Sequence, residues 1–286
     1  MTASLPDNPL ESRFDLDRYF ARIGYGGPRA ATLDVLRTLH RLHPLAIPFE
    51  GLDAFAGRPV SLRLDDIVAK LVDARRGGYC FEHNTLFARA LAALGFAIAP
   101  LAARVVYGRT PDAVTPRSHM LLRVEVEGAA WLADVGFGGA TLCAPLAFAV
   151  REPQPTPLEP ARLDLESEGI WTLAVREGDA WANVYRFESR PAEWVDYDVA
   201  NWYTSTSPDS FFTGNLVVCG VRENGRAALF NDHYSERDAL GRRTLAQTIA
   251  SAGALKECLR ERFGIDAADF DTDALFARIT GRGPAA

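Results

Sequence analysis

The chain has 286 residues, 48% hydrophobic and 24% charged, which suits one large domain or two to three small ones and excludes a disordered or fibrous protein. Its 31 Lys and Arg against 37 Asp and Glu give a net charge of -6 with no long run of one sign, so nucleic acid is not an expected partner. No apolar run reaches the roughly 20 residues that span a bilayer, and the opening MTASLPDNPLESRFDLDRYF has no signal-peptide pattern. Up to about residue 95 the apolar residues recur at helical spacing, as in Phe14, Tyr19, Phe20, Ile23 and then Leu33, Leu36, Leu39, Leu42, with breaks at Gly26-Gly27-Pro28 and Pro44. This part reads as a bundle of short helices. From Ala97 the pattern turns β-branched and alternating, predicting strands over 103–107, 120–127, 130–135, 171–175 and 181–187, an antiparallel sheet or small barrel with a Pro-rich surface loop at 153–160. After Asn201 a polar connector, TSTSPDSFFTGN, precedes strands at 216–222 and 227–231, and helical patterns follow at 245–263 and 272–279.

Four cysteines, Cys80, Cys143, Cys219 and Cys258, lie far apart without a CxxC pair and resemble neither a disulfide framework nor a structural zinc site, so a reducing, cytoplasmic setting is expected. Cys80 stands apart. It follows Arg75-Arg76-Gly77-Gly78-Tyr79 and precedes Leu86, Phe87, Ala90, Leu91 and Leu94 at helical spacing, so it opens a helix. The paired glycines permit a tight approach to that helix, and the positive end of its dipole favours a thiolate. Cys80 is a candidate nucleophile; the other three read as small buried hydrophobes.

A thiolate nucleophile needs an imidazole partner, itself oriented by an acceptor. Among the five histidines, His40 and His43 are expected at the exposed end of a helix before Pro44, and His233 in a surface turn. His83, three residues after Cys80, is a rival base on the same helix. His119 opens a strand, and Asp134 lies in the apolar strand Trp131-Leu132-Ala133-Asp134-Val135, where a carboxylate is costly unless paired. A two-residue turn at Gly128-Ala129 would set His119 and Asp134 on one face but about four residues out of register, roughly 13 Å at ~3.4 Å per residue, so a bulge or a different register is required. Read alone, these residues leave a Cys80-His119-Asp134 triad and a structural histidine with a capping aspartate both open.

Several blocks together resemble the arylamine N-acetyltransferases: Tyr19-Phe20-Ala21-Arg22-Ile23-Gly24-Tyr25, Ile47-Pro48-Phe49-Glu50-Gly51-Leu52-Asp53, Arg76-Gly77-Gly78-Tyr79-Cys80-Phe81-Glu82-His83-Asn84, Arg117-Ser118-His119-Met120, Asp134-Val135-Gly136-Phe137-Gly138-Gly139 and Asn201-Trp202-Tyr203-Thr204-Ser205-Thr206-Ser207-Pro208. Their order and spacing match over about residues 15 to 270. The resemblance implies an α+β fold with a cysteine-protease-like Cys-His-Asp core. It has a helical bundle carrying the thiol (residues 1–95), an antiparallel β-barrel domain carrying His and Asp (96–200) and an α/β lid (201–286), a division that agrees with the pattern above. It carries the triad onto Cys80, His119 and Asp134 and reduces His83 to a neighbour. Gly51 departs from the family, which usually has Asn there.

The implied reaction is a two-step transfer of an acetyl group from acetyl-coenzyme A through an acetyl-cysteine thioester to aryl amines, hydrazines or hydroxylamines, with no metal. By motif position Phe49, Tyr79, Phe137 and Phe212, with Val106 nearby, line the acceptor pocket. The backbone N–H groups of Cys80 and the Val106 loop are expected to hold the oxyanion. Neither GxxxxGK followed by Ser or Thr nor GxGxxG occurs. Coenzyme A is therefore assigned to the N–H groups of Gly136-Phe137-Gly138-Gly139 with Thr206, Ser207 and Phe212. Neither nucleic acid nor membrane is an expected partner, and oligomeric state is left open, a homodimer included. Two other chemistries use the same residues: a papain- or transglutaminase-like thiol hydrolase, and a metal site of Cys80, His83, His119 and Asp134.

Overall fold

The helical periodicity of the first 95 residues resolves, in a computed structural model that describes residues 8–10, 13–110, 113–167 and 169–281, into five helices and one short strand. These are α1 (Leu16–Ile23), α2 (Leu33–Ala46), β1 (Phe49–Glu50), α3 (Leu52–Phe55), α4 (Leu64–Val68), which runs into a π-helical turn (Ala69–Asp73), and α5 (Cys80–Ala93). The Asp15 side chain accepts the Asp17 and Arg18 N–H groups to start α1, and Gly24, at φ 73°, ends it in the left-handed conformation that suits glycine. The Arg22 guanidinium, buried, donates to the carbonyls of Leu71 and Ala46 and so ties α1 to α2 and to the segment leading into α5.

Two sheets follow. The strands β2 (Ala97–Val105), β3 (His119–Val126), β4 (Ala129–Ala133), β5 (Leu146–Ala147), β6 (Ala161–Ser167), β7 (Ile170–Glu177) and β8 (Ala180–Glu188) form a seven-stranded antiparallel, nearly closed barrel in the order β5-β4-β3-β2-β8-β7-β6. Then come α6 (Trp194–Thr206) and α7 (Phe211–Gly214). The strands β9 (Val217–Arg222), β10 (Gly225–Phe230), β11 (His233–Asp238) and β12 (Arg243–Thr248) extend β1 into a five-stranded sheet, closed by α8 (Ala252–Phe263) and α9 (Thr272–Ile279). The fold is α+β. One core joins α1, α2 and α5 to the side chains of Met120, Leu122 and Val124 on β3; a second fills the barrel around Leu121, Leu163 and Tyr185; a third packs α8, α9 and β9 to β11 against Leu52 and Phe55 of α3. Residue 95 falls between α5 and β2, whereas residue 200 lies inside α6.

Four expectations are corrected. Helix α2 runs through Pro44 to Ala46, so His40 and His43 are fully buried rather than exposed at a helix end. Proline two residues from a helix terminus removes little more than the single bond its N–H would have given to the His40 carbonyl. The expected polar connector begins inside a helix, since Thr204 to Thr206 close α6. The pattern at 245–263 divides into β12 and α8, with the Ser251 hydroxyl accepting the Ala254 N–H as the helix cap. The β3–β4 hairpin turns at Glu127-Gly128, both at positive φ (52° and 76°), the signature of a type I′ turn, not at Gly128-Ala129.

The helix that carries Cys80 is anchored by a buried ionic cluster. Lys70 Nζ lies 2.7 Å from both Asp53 and Glu82, and Arg76 pairs with Glu50 at 2.6 Å and Asp53 at 3.1 Å. Glu82 also accepts the Tyr79 N–H at 2.9 Å, and Glu50 the Leu52 N–H at 2.8 Å. Three carboxylates thus share two cations. Despite burial, Lys70 and Arg76 pull the Asp53 carboxyl below its usual range, while Glu82 is pushed up, chiefly by its own burial. Removing one cation leaves buried carboxylates uncompensated. Lys70→Met should therefore lower the unfolding free energy by about 3–5 kcal/mol in urea titrations, with Lys70→Arg losing far less; a loss under ~1 kcal/mol would contradict the cluster's role.

Candidate active site

Cys80 is the first residue of α5, and the chain reaches it by a close approach that only glycine permits. A Cβ on Gly77 would sit 2.1 Å from the Pro48 carbonyl oxygen, and one on Gly78 would sit 2.6 Å from Glu82 Oε2. Neither glycine has positive φ, so space rather than a left-handed turn requires them. The Gly78 carbonyl accepts the Glu50 N–H at 2.7 Å, which locks this segment to β1. The Cys80 side chain is 4% exposed, and its thiol lies 3.6 Å from the Ser118 carbonyl, next to His119.

His119 opens β3. Its Nε2 donates to Asp134 Oδ2 at 2.7 Å, and the Cys80 sulfur is near enough to favour the charged form of the ring. The register difficulty disappears with the observed turn. Leu122 pairs with Ala133, so the ladder projects Asp134 opposite Leu121, two residues from His119 and on the same face. Diagonal neighbours of this kind lie within reach of long side chains. Asp134 also stands just past the end of β4, free of the pleat. The chain leaves β4 against α5, where a Cβ on Gly136 would meet His83 Cβ at 2.7 Å and Cys80 Cα at 3.1 Å.

The Asp134 carboxylate is fully buried and fully engaged. Oδ1 accepts the Asn84 side-chain N–H and the Gly136 backbone N–H, both at 3.0 Å. Burial opposes its charge, but the His119 cation and these two donors together hold its pKa below the usual carboxylate value. Burial likewise opposes charge on His119, yet the facing carboxylate prevails and raises the ring to about 10, with the Cys80 sulfur contributing. Phe137 packs edge-on to the His119 ring at 5.1 Å, and Tyr185 lies against it at 4.9 Å, its buried hydroxyl without a hydrogen-bond partner among the described residues. Asn84 and Tyr185 had no role in the sequence reading. Asn84 sits one turn from Cys80 and also donates to the Met120 carbonyl and accepts the Val135 N–H, so it binds α5 to both strands.

His83, the rival base, points elsewhere. Its Nε2 meets the Pro48 carbonyl at 3.1 Å and its Nδ1 meets His43 Nε2 at 2.9 Å, while His43 Nδ1 meets the Tyr19 hydroxyl at 2.8 Å. Because a carbonyl only accepts, one proton assignment satisfies the chain: Tyr19 donates to His43, His43 to His83 and His83 to Pro48, with both rings neutral. Burial, their largest common influence, holds both below the ordinary value, His83 at about 4. His83 is thus committed to packing, which also removes it from the metal set considered above.

The predicted pocket residues form two groups. Phe49, Tyr79 and Phe212 cluster, with Phe212 at 5.9 Å from Phe49 and 5.7 Å from Tyr79, and a Cβ on Gly138 would touch Phe49. Phe137 belongs with His119, Tyr185 and Tyr107. Val106 is buried, but its N–H donates to the Val184 carbonyl at 3.0 Å, as does that of Tyr107 at 3.1 Å, so these loop donors do not face an oxyanion. The Gly136 N–H is likewise taken by Asp134, and the Gly138 N–H by the Thr141 hydroxyl at 2.7 Å. Gly139 is exposed with open space around it. Thr206 donates to the Trp202 carbonyl within the last turn of α6, and Ser207 accepts the Asp209 N–H in the connection that leads to Phe212.

A sequence profile described as N-acetyltransferase matches residues 32–271. The chain is 41% identical over 270 residues to an arylamine N-acetyltransferase of Mycobacterium tuberculosis, covering 93% of this chain and 94% of that one. It is 38% identical over 255 residues to an arylamine N-acetyltransferase of Escherichia coli, covering 89% of this chain and 90% of that one. The solved structure of an arylamine N-acetyltransferase of Mycobacterium marinum in complex with CoA superimposes with a TM-score of 0.88 at 39% identity, covering 94% of this chain and 100% of that one.

The shifted pKa values of the ring and its carboxylate make stability depend on pH. For His119 the folded value of about 10 exceeds the ordinary 6.5, so its contribution is complete below pH 6.5 and is lost as pH rises toward 10. Asp134 is lowered from 3.8, so its contribution is complete above that value and is lost as pH falls through the lowered one. The stability difference between the protein and its His119→Gln variant should be largest between pH 4 and 6.5 and should shrink toward pH 10 in urea unfolding. A difference that does not change with pH would contradict the pairing.

Proposed function

The chain belongs to the arylamine N-acetyltransferase family, and on that premise we propose that it moves an acetyl group from acetyl-coenzyme A to aryl amines, hydrazines or hydroxylamines through a thioester on Cys80. The observation that supports this most is the buried His119-Asp134 pair placed against the one thiol at a helix start. A ring charged at neutral pH favours the thiolate beside it. In the first half-reaction the Cys80 sulfur attacks the thioester carbonyl; a carbon–sulfur bond forms on Cys80, the bond to the coenzyme sulfur breaks, and that sulfur leaves with the proton from His119. In the second, the amine attacks the acetyl-cysteine, gives its proton to His119 and expels the Cys80 thiolate. Asp134 orients the ring and stabilises its charge throughout, and the kinetics are ping-pong.

The first N–H groups of α5, that of Cys80 among them, are unpaired within the helix and aim positive dipole ends toward the developing oxyanion. Phe49, Tyr79, Phe137 and Phe212, with Val106 behind them, supply apolar walls that suit an aromatic acceptor and reject charged aliphatic amines, which would have to shed water. Coenzyme A is assigned to Phe137, Gly139, Thr206, Ser207 and Phe212; Gly139 is the open position of the loop, while the Gly138 N–H, taken by Thr141, drops out of the set. The remaining thiols do not compete: burial pushes Cys143 up, Cys219 to about 12 and Cys258 to about 11. All four cysteines are free, which fits a reducing cytoplasm, and among the described residues no helix is long and apolar enough to cross a membrane.

Intact-mass analysis after mixing with acetyl-coenzyme A tests the mechanism. One acetyl group should be retained per chain with rapid thiol release, and Cys80→Ala should retain none. Thiol release with no retained acetyl would indicate a hydrolase, and acetylation of both chains or neither would refute the thioester. His119→Ala should slow acetylation by about 10²- to 10⁴-fold.

A further inference from the structure

Helix α2 carries a second buried histidine that acetyl transfer as described does not use. His40 is fully buried, and its Nε2 accepts the backbone N–H of Asp134 at 3.1 Å, across 94 residues of chain. That N–H has no place in the ladder, because paired residues of β4 end at Ala133. A buried N–H left unpaired is expensive, and the imidazole nitrogen is the acceptor that receives it. The edge of the Phe87 ring, at 5.8 Å and 90°, fixes the plane in which that nitrogen points.

The cost of the arrangement shows at the other nitrogen. An accepting Nε2 puts the proton of the neutral ring on Nδ1, and Nδ1 has no hydrogen-bond partner. A leucine or phenylalanine against Phe87 would fill the same space without that burden, so packing alone does not account for histidine here. The groups around the ring are Asp134 beyond β4, His43 on its own helix and Phe87 on α5. Burial, working against the attraction of Asp134, lowers His40 to about 4, so at neutral pH the ring is uncharged and can accept.

We propose that His40 is a positioning residue of the triad, whose acceptor nitrogen fixes the Asp134 backbone and thereby aims its carboxylate at His119. The proposal rests on the roles given above to Cys80, His119 and Asp134, not on the identity of the acyl donor. Its readout is therefore the pH dependence of Cys80 alkylation by iodoacetamide, which needs no acetyl-coenzyme A and is scored separately from acetyl transfer.

In His40→Leu the alkylation profile should move to higher pH, with about a tenfold lower rate at neutral pH. His40→Gln, whose side-chain oxygen can accept the same N–H, should restore the original profile. An unchanged profile in a folded His40→Leu chain, or equal displacement in both variants at equal unfolding midpoints, would overturn the proposal. Should the leucine chain not fold, isotope-labelled unmodified protein still decides. A nuclear coupling across the bond from the Asp134 amide to an unprotonated His40 Nε2 is expected, and a protonated Nε2 would overturn it.

Discussion

A carboxylate with no access to water, kept ionised by everything around it, is the constraint on which this structure turns. Asp134 would be among the costliest groups in the protein if it stood alone, because transfer of an ion into an apolar interior carries a penalty of several kcal/mol even after relaxation. It is tolerated because its two oxygens meet the His119 ring, the Asn84 amide and the Gly136 N–H, while its own N–H is received by His40. Those partners come from β3, α5, the loop after β4 and α2. The carboxylate thus makes the helical core and the barrel cooperate, since neither can supply the whole set.

Proximity on this scale depends on what the chain omits. The loop after β4 lies against the first turn of α5 only because Gly136 has no side chain, and that turn lies against β1 only because Gly77 and Gly78 have none. These glycines convert backbone contact into the short distance between a sulfur on a helix and a ring on a strand. The ionic cluster of Lys70, Arg76, Glu50, Asp53 and Glu82 then prevents the helix start from drifting. Glu82 links the two levels by accepting the Tyr79 N–H immediately before Cys80.

Much of this was legible in the residues themselves. The glycine pair followed by apolar residues at helical spacing located Cys80 at the first position of α5, the alternation after His119 located β3, and the pattern at 272–279 coincides with α9. What escaped has physical reasons. Strand β12 is largely exposed and polar, as an edge strand can be, so it offers no apolar stripe. Helix α6 is rich in aromatic and β-branched residues, whose intrinsic preference is for strands. The hairpin turn places Glu127 at positive φ, a conformation that local sequence would assign to glycine. The partners of Asp134 on α2 and α5 lie 94 and 50 residues away, beyond any local pattern.

The histidines show most plainly how surroundings, not residue type, decide chemistry. Four of the five, His40, His43, His83 and His119, are buried to nearly the same extent, so desolvation acts against charge on all of them. Three yield to it and remain neutral, each with an accepting nitrogen: Nε2 of His40 toward a backbone N–H, Nδ1 of His43 toward a tyrosine hydroxyl, and Nδ1 of His83 toward His43. Among these four, only His119 has a carboxylate oxygen at hydrogen-bond distance, with the Cys80 sulfur also favouring its charge, and only there is the balance reversed. The neutral rings are part of the reason. Each consumes a polar group of the frame without adding a competing cation near Asp134, so His119 is the ring on which the attraction of that carboxylate outweighs burial.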